Sequence, residues 1–314
     1  MTVRFSFFQS AARALGLAGE SFDDTLRDVL ARDISADSPR QRFADVSDDF
    51  WFWALTEGCR THEELHALLP AMPPEEIQLR FTGAAGDVTL REAFSFYLLV
   101  RDLMRAHLRR PLESALDYGC GWGRIIRFFL RDVEPANLAG IDCFPQMIEL
   151  CQATNRWARF TQVDPFPPTM YADESFDLIY AFSVFSHLSE HAHFEWLKEF
   201  KRLLRPGGLL IVTTRAREFI LMCADMRAQQ EQRFWTHGPA ASFRDTEDAL
   251  ARYDRGEFLY EPIGGGDVLD PSFFGETCIP LGYVRTHWTR LFELVDYIDD
   301  RQVCVQNVIA VRKT

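Results

Sequence analysis

Apolar and polar positions fall into two rhythms along this chain, and the rhythms alternate. Phe176 to Phe182 is a nearly unbroken apolar run, as expected for a strand buried on both faces of a parallel sheet. Ala115-Leu116, Asn137 to Ile141, Arg159 to Val163 and Leu209 to Thr213 read as shorter strands of the same kind. Between them the apolar residues recur at helical spacing, in Ile125 to Phe129, Pro145 to Trp157 and Glu190 to Leu204. Strand and helix in turn predict an α/β domain on a parallel sheet. Phe292 to Ile298 and Val303 to Arg312 read as two last strands, joined by a turn at Asp299-Asp300.

The flanks of this pattern differ from it. Residues 1 to about 75 read as helical, with Phe7, Phe8, Ala11, Ala12 and Leu15 on one face and Phe22, Leu26, Val29 and Leu30 on another. Asp48-Asp49 caps a helix with the stripe Phe50, Trp51, Phe52, Trp53 and Leu55, which is core rather than a ligand cage on the usual reading of such a stripe. Thr61-His62-Glu63-Glu64 caps another helix before Leu65. Pro70, Pro73 and Pro74 break the chain, and Arg80 to Asp87 reads as a loop before a long helix, Leu90 to Arg109. The expected organisation is a helical extension, 1–85, and a main domain, 86–314, with an insertion at about 215–276. The insertion carries helical patterns at Phe219 to Phe234 and Thr246 to Arg255 and a glycine loop, Gly264-Gly265-Gly266. Both additions are expected to cover the substrate, since neither completes the sheet.

Candidate chemistry centres on SALDYGCGWGRIIRFF, Ser114 to Phe129. A strand reaches Asp117, and Gly119, Gly121 and Gly123 follow at alternate positions before a helical pattern. Glycine permits positive φ and close approach of a ligand to the backbone. Asp142 ends the next strand, 19 residues past Gly123. An acid about 20 residues beyond such a turn can hydrogen-bond ribose hydroxyls, which points to a nucleoside-containing cofactor. The dinucleotide pattern G-x-G-x-x-G would need glycine where Arg124 stands. Asp117 also disfavours a pyrophosphate and favours a cationic ligand. Phe182 and Ser183, at the end of the fourth strand, should line the site, and His187 follows them.

DYGCGWGR followed by GIDCFPQMIELC resembles the cofactor site of class I S-adenosylmethionine-dependent methyltransferases. FDLIYAFSVFSHL resembles that family's fourth-strand segment, and LLRPGGLLIVTT its fifth strand with the preceding turn. The resemblance spans Ser114 to Thr214 and implies a Rossmann-like, doubly wound seven-stranded sheet with a terminal antiparallel hairpin. It implies S-adenosylmethionine as cofactor and S-adenosylhomocysteine as product. Asp117, Gly119, Cys120, Gly121, Gly123, Asp142 and Cys143 would form the cofactor site. Asp117 would favour the methionine ammonium, and Asp142 the ribose hydroxyls. Asp164 stands where the family often contacts the adenine amino group, although DPFPPTM departs from the usual pattern. His187 is the candidate general base, with a structural hydrogen bond as the alternative. Phe81, Tyr97, Trp235, His237, Tyr283 and Trp288 are candidates for the acceptor pocket, with core packing as the alternative.

Charge and composition narrow the partners. A net charge of −12 argues against nucleic acid and against an anionic membrane surface. No stretch approaches the length of a transmembrane helix, and the start lacks the apolar core of a signal peptide. Seven scattered cysteines without a C-x-x-C pair fit reduced thiols in a cytoplasmic protein. His191 and His193 lie two apart and would point ~200° from each other on a helix. Surface positions and no metal are therefore expected. A small-molecule acceptor, methylated at oxygen or nitrogen, is the leading expectation. A nicotinamide-dependent oxidoreductase and a non-catalytic cofactor-binding scaffold are the alternatives. The oligomeric state is left open.

Overall fold

The computed structural model describes residues 22–32, 38–229, 237–265 and 269–314. Seven strands are hydrogen-bonded in the order β3-β2-β1-β4-β5-β9-β8. They are β1 (Ala115–Tyr118), β2 (Leu138–Asp142), β3 (Arg159–Gln162), β4 (Phe176–Ala181), β5 (Leu204–Thr214), β8 (Glu293–Ile298) and β9 (Asn307–Arg312). The pairs β1–β2, β2–β3 and β4–β5 are parallel, whereas β9 runs antiparallel to β5 and β8. This is the expected Rossmann-like sheet with its terminal hairpin. Every residue of β1, β2, β4 and β9 is buried, which is why these strands read as apolar runs rather than alternations. The insertion adds a two-stranded antiparallel ribbon, β6 (Leu259–Pro262) with β7 (Gly275–Cys278).

The chain divides into two compact units. One comprises the chain up to Asp102 together with Leu112–Gln162; the other comprises Leu103–Pro111 and Val163–Thr314.

In the first unit, helices α1 (Asp23–Ala31), α2 (Pro39–Phe43) and α3 (Asp48–Trp53) belong with β1 to β3. Ser47 caps α3 by accepting from the N–H of Phe50 at 3.1 Å. Phe50, Trp51 and Phe52 are buried, so the aromatic stripe is core. The indole of Trp51 donates to the Phe128 carbonyl at 3.0 Å, and Ser38 donates to Glu134 at 2.8 Å. Asp48 binds Arg101 through two bonds of 2.6 Å and also binds Arg131. These guanidiniums, Arg101 foremost, hold its carboxyl down at about 2. Short α4 (Glu63–Leu68) and α5 (Glu75–Thr82) lead to the long α6 (Asp87–His107). The expected loop at Arg80 is thus the last turn of α5, which Gly83 ends in the left-handed region at φ 69°. Helix α7 (Pro145–Thr154) follows β2, with proline at its first position.

The helix expected after the glycines is instead a series of turns and a 3₁₀ segment, Ile126–Arg131. Gly119, Gly121 and Gly123 all have positive φ, so regular helix cannot begin among them. The Gly123 carbonyl then accepts from Arg127 Nε at 3.3 Å, and backbone bonds close over three residues, Phe128 N–H to Ile125 and Asp132 N–H to Phe129.

In the second unit, Ser189 caps α8 (Glu190–Leu203). The helix ends directly in β5, and Pro206-Gly207-Gly208 bulges from that strand rather than ending the helix. Leu204 pairs with Phe176, but the next partner, Leu209, pairs with Leu178. The insertion supplies α9 (Arg217–Ala228), α10 (His237–Ala241) and α11 (Thr246–Asp254). Phe219, Ile220, Cys223, Phe243, Tyr253, Leu259 and Cys278 form its core. Short α12 (Leu281–His287) precedes β8.

Three expectations are corrected here. Tyr97 does not line a pocket mouth: it is fully buried, donates to Asp132 at 2.7 Å and accepts from Arg131 at 2.9 Å. Trp288 and Tyr283 lie in the core of the second unit, 0% and 4% exposed. His193 is not a surface residue. His191 is exposed, but His193 is 0% exposed, and the rings of Phe185, Phe194, Phe258, Tyr283 and Trp288 surround it. Two positions on a helix do point apart, and α8 turns the second one inward. Among the described residues no helix is long and apolar enough to cross a membrane. None of their His, Cys, Asp and Glu side chains form a group of three or more placed to hold a metal ion.

Candidate functional site

The glycine turn of the first unit is built on β2 as much as on β1. Gly119 and Cys120 both donate their N–H to the Ile141 carbonyl, at 2.8 and 3.1 Å. Asp142, one residue on, accepts from the N–H of Gly121 at 2.9 Å through one oxygen and from Phe144 at 2.9 Å through the other. Burial raises the Asp142 carboxyl pKa, and these backbone N–H groups work against that rise. The Cys143 backbone N–H and thiol also hydrogen-bond this carboxylate. The second glycine leaves room for a ligand: a Cβ on Gly121 would meet nothing within 4 Å. A Cβ on Gly123 would lie 3.3 Å from Cys151 Sγ, so this glycine serves close packing under the turn.

Cysteines line the underside. Cys151 donates to the Gly121 carbonyl at 3.1 Å, and the Cys120 thiol is raised well above its ordinary pKa by its hydrogen bond with Cys151 and by burial. Cys120 is therefore an inert packing thiol at neutral pH. Cys143 is half-buried, and burial, aided by Asp142, pushes its thiol up to about 12. Asp117 is buried at 2% exposure on β1. Arg124, where a dinucleotide site would have glycine, turns to α6 and binds Glu92 at 2.6 Å and Thr89 at 3.1 Å. Phe81 is 40% exposed and meets Phe144 edge-on at 6.3 Å, which places it beside the Asp142 loop.

The second unit holds the other candidates. Asp164 is exposed. Phe182 and Ser183 are half-buried at the end of β4. Ser183 has φ 60°, a left-handed backbone unusual for a residue with a side chain and often found at functional sites. Three neighbours hold it there. Its N–H donates to Thr213 Oγ1 at 2.7 Å, its hydroxyl accepts from Gln306 at 2.9 Å, and it shares a 3.3 Å hydrogen bond with Ser186.

His187 lies four residues on, and the insertion grips it. The Gly275 N–H donates to the His187 carbonyl at 2.8 Å, and the Thr277 N–H donates to the Ser186 carbonyl at 2.8 Å. Nδ1 of His187 lies 2.8 Å from the Gly275 carbonyl oxygen, which can only accept. That bond puts the proton on Nδ1 and leaves the lone pair on Nε2. The ring stacks on Phe274 at 4.7 Å and 7°. Glu276 Oε2 lies 3.8 Å from Nδ1 and accepts from Arg215 Nε at 3.0 Å. Burial lowers the His187 pKa, and the Glu276 carboxylate partly opposes that. Arg215, Glu276, Thr213 and Gln306 carry no local signal in the sequence, because folding alone brings them to Ser183 and His187. His237 is exposed at the start of α10, and Trp235 lies outside the described residues.

The methyltransferase-domain family model matches residues 115–208 of the chain. A phthiotriol/phenolphthiotriol dimycocerosates methyltransferase of Mycobacterium ulcerans is 31% identical over 165 residues, 52% of this chain and 58% of that protein. A trans-aconitate 2-methyltransferase of Rhizobium rhizogenes is 30% identical over 115 residues, 36% of this chain and 42% of that protein. The chain thus spans less than two thirds of these relatives. A solved S-adenosylmethionine-dependent methyltransferase of Methanosarcina mazei matches 67% of this chain and 96% of its own, with a TM-score of 0.45 and 16% identity.

Proposed function

We propose that this chain, whose residues 115–208 match the methyltransferase-domain family model, is a class I S-adenosylmethionine-dependent methyltransferase that methylates a hydroxyl group of a small molecule. The observation that carries the cofactor reading is the pairing of Asp142 with Gly121, which holds an open glycine face beside a carboxylate. That donor set suits the cofactor: Asp142 can accept from two ribose hydroxyls, and the Gly121 backbone can lie against the methionine part. Asp117 places negative charge near the cationic end. When bound, S-adenosylmethionine supplies an electrophilic methyl group on a sulfonium that leaves as a neutral thioether. The acid at Asp117 and the turned-away Arg124 suit a cation better than a pyrophosphate, which speaks against a nicotinamide cofactor.

The chain's own contribution to the reaction is orientation and one proton. Orientation of well-held reactants contributes about 7–11 kcal/mol. His187 is neutral at physiological pH, because burial disfavours its charged form, and its Nε2 carries the lone pair. Such a nitrogen accepts a proton from an attacking hydroxyl, whereas a carboxylate acceptor has no proton to give. Ser183 and Gln306 add a hydroxyl and an amide, joined by a 2.9 Å hydrogen bond, at the end of β4. The test is incubation with methyl-labelled S-adenosylmethionine and a panel of hydroxy, amino and carboxylic small molecules. Label in the hydroxy compounds supports the reading, and label confined to carboxylic acids contradicts it.

A further inference from the structure

Three successive residues of the insertion, Phe274, Gly275 and Glu276, address the His187 ring in three different ways. Phe274 stacks on its face, Gly275 accepts the Nδ1 proton, and Glu276 sets a carboxylate 3.8 Å from Nδ1. The carboxylate is not loose. The Glu276 side chain is only 6% exposed, and Arg215 fixes it with a charged bond of 3.0 Å. The backbone around them is pinned as well. Phe274 bridges to Leu188, Cys278 bridges to Arg215, and Thr277 Oγ1 donates to the Leu188 carbonyl at 2.7 Å. A glycine is required at 275, since a Cβ there would lie 2.0 Å from the Glu261 carbonyl oxygen on β6. The segment is thus placed by its own strand pairing, and His187 is held against it.

We infer that Glu276, locked by Arg215, is a positioning residue for His187: it holds the ring with Nε2 presented as base and stabilises the imidazolium formed when that nitrogen takes a proton. This rests on the reading of His187 as the base. In the step, the acceptor O–H bond breaks as its oxygen bonds to the methyl carbon, the proton goes to Nε2, and the former methyl–sulfur electron pair stays on sulfur. The ring then carries a positive charge beside a buried carboxylate. Without Glu276 the Arg215 guanidinium would oppose that imidazolium. Among the described residues, Cys223 and Cys278 are further titratable groups that interact with Glu276 and Arg215. Burial raises both thiols, and both stay neutral.

The test reads the histidine directly and needs no acceptor. The protein is labelled at its imidazole carbons, the His187 signal is assigned by its loss in His187→Ala, and its titration is followed by NMR. Glu276→Gln should weaken the proton affinity of His187 at least tenfold, so its midpoint drops by a pH unit or more. Glu276→Asp keeps the charge and should keep the midpoint nearer that of the native protein. The second variant also serves if Glu276→Gln, which leaves Arg215 without its carboxylate, does not fold. Arg215→Gln should raise the midpoint by removing the opposing cation. An unchanged midpoint in folded Glu276→Gln, or equal shifts in the Asp and Gln variants, would overturn the inference. The reading of His187 as base fails separately: full methyl transfer by His187→Ala would remove it whatever the titration shows.

Discussion

The N–H of Gly121 donates to a carboxylate oxygen of Asp142 at 2.9 Å, so the acid at the end of β2 shapes the turn at the end of β1. Asp142 therefore closes the turn, in addition to the ribose contact proposed for it. Asp142→Ala should weaken S-adenosylhomocysteine binding by about 1.5–3 kcal/mol, the range for a hydrogen bond to a charged group. It should also lower the melting temperature in the absence of ligand, because Gly121 and Phe144 both lose an acceptor. Calorimetry and a melting curve on the same protein check the two effects. Unchanged affinity in a folded variant would move the ribose elsewhere.

Gly121→Ala separates room from conformation. The position has φ 51°, which costs an L-residue about 1–2 kcal/mol, and its Cβ would point into open space. A modest stability loss and a large affinity loss are expected in the same calorimetric titration. Native affinity would show that no ligand approaches this face.

His193 predicts a pH effect unrelated to catalysis. Both its ring nitrogens are buried without a partner, and burial, with His287 adding to it, pushes its pKa down to about 3. The unfolded chain holds a proton on this residue below about 6.5, whereas the folded chain does not. The contribution of neutral His193 is thus fully present above pH 6.5 and is lost as pH falls toward 3, by up to about 1.4 kcal/mol per unit. His193→Phe should remove that slope and raise stability at pH 5 more than at pH 8. Denaturant melts at both values measure it, and parallel pH curves for the two proteins would contradict it.

His187→Ala should cost about 10²–10⁴-fold in turnover, the usual range for a general base, and leave S-adenosylhomocysteine affinity nearly unchanged. Because the imidazole pKa is lowered, activity of the native protein should rise with pH to a plateau at or below the ordinary histidine range. Single-turnover rates beside melting curves decide. A folded variant of near-normal rate leaves His187 as a structural tie to Gly275.

The sheet was legible because its strands are buried on both faces and stand out as apolar runs between helical periods. Asp142 and the glycines were legible because their spacing along the chain is the spacing that builds the turn. The 3₁₀ segment at Ile126–Arg131 was not legible, since its apolar pattern is also that of an α-helix, and it is the backbone bonds closing over three residues that distinguish them. Tyr97, Tyr283 and Trp288 looked like pocket residues because an aromatic ring suits a pocket and a core equally. Sequence spacing set His193 apart from His191, but only the packing of α8 shows which of the two turns inward. Glu276 lies 89 residues from His187 and reaches it only through the pairing of β7 with the loop after β4.

The most direct measurement of the central claim is calorimetric titration of the native protein with S-adenosylhomocysteine, S-adenosylmethionine and NAD. Saturable binding of both sulfur compounds, weakened together by Asp142→Ala, and no binding of NAD are expected. NAD binding with no response to either sulfur compound would contradict that claim.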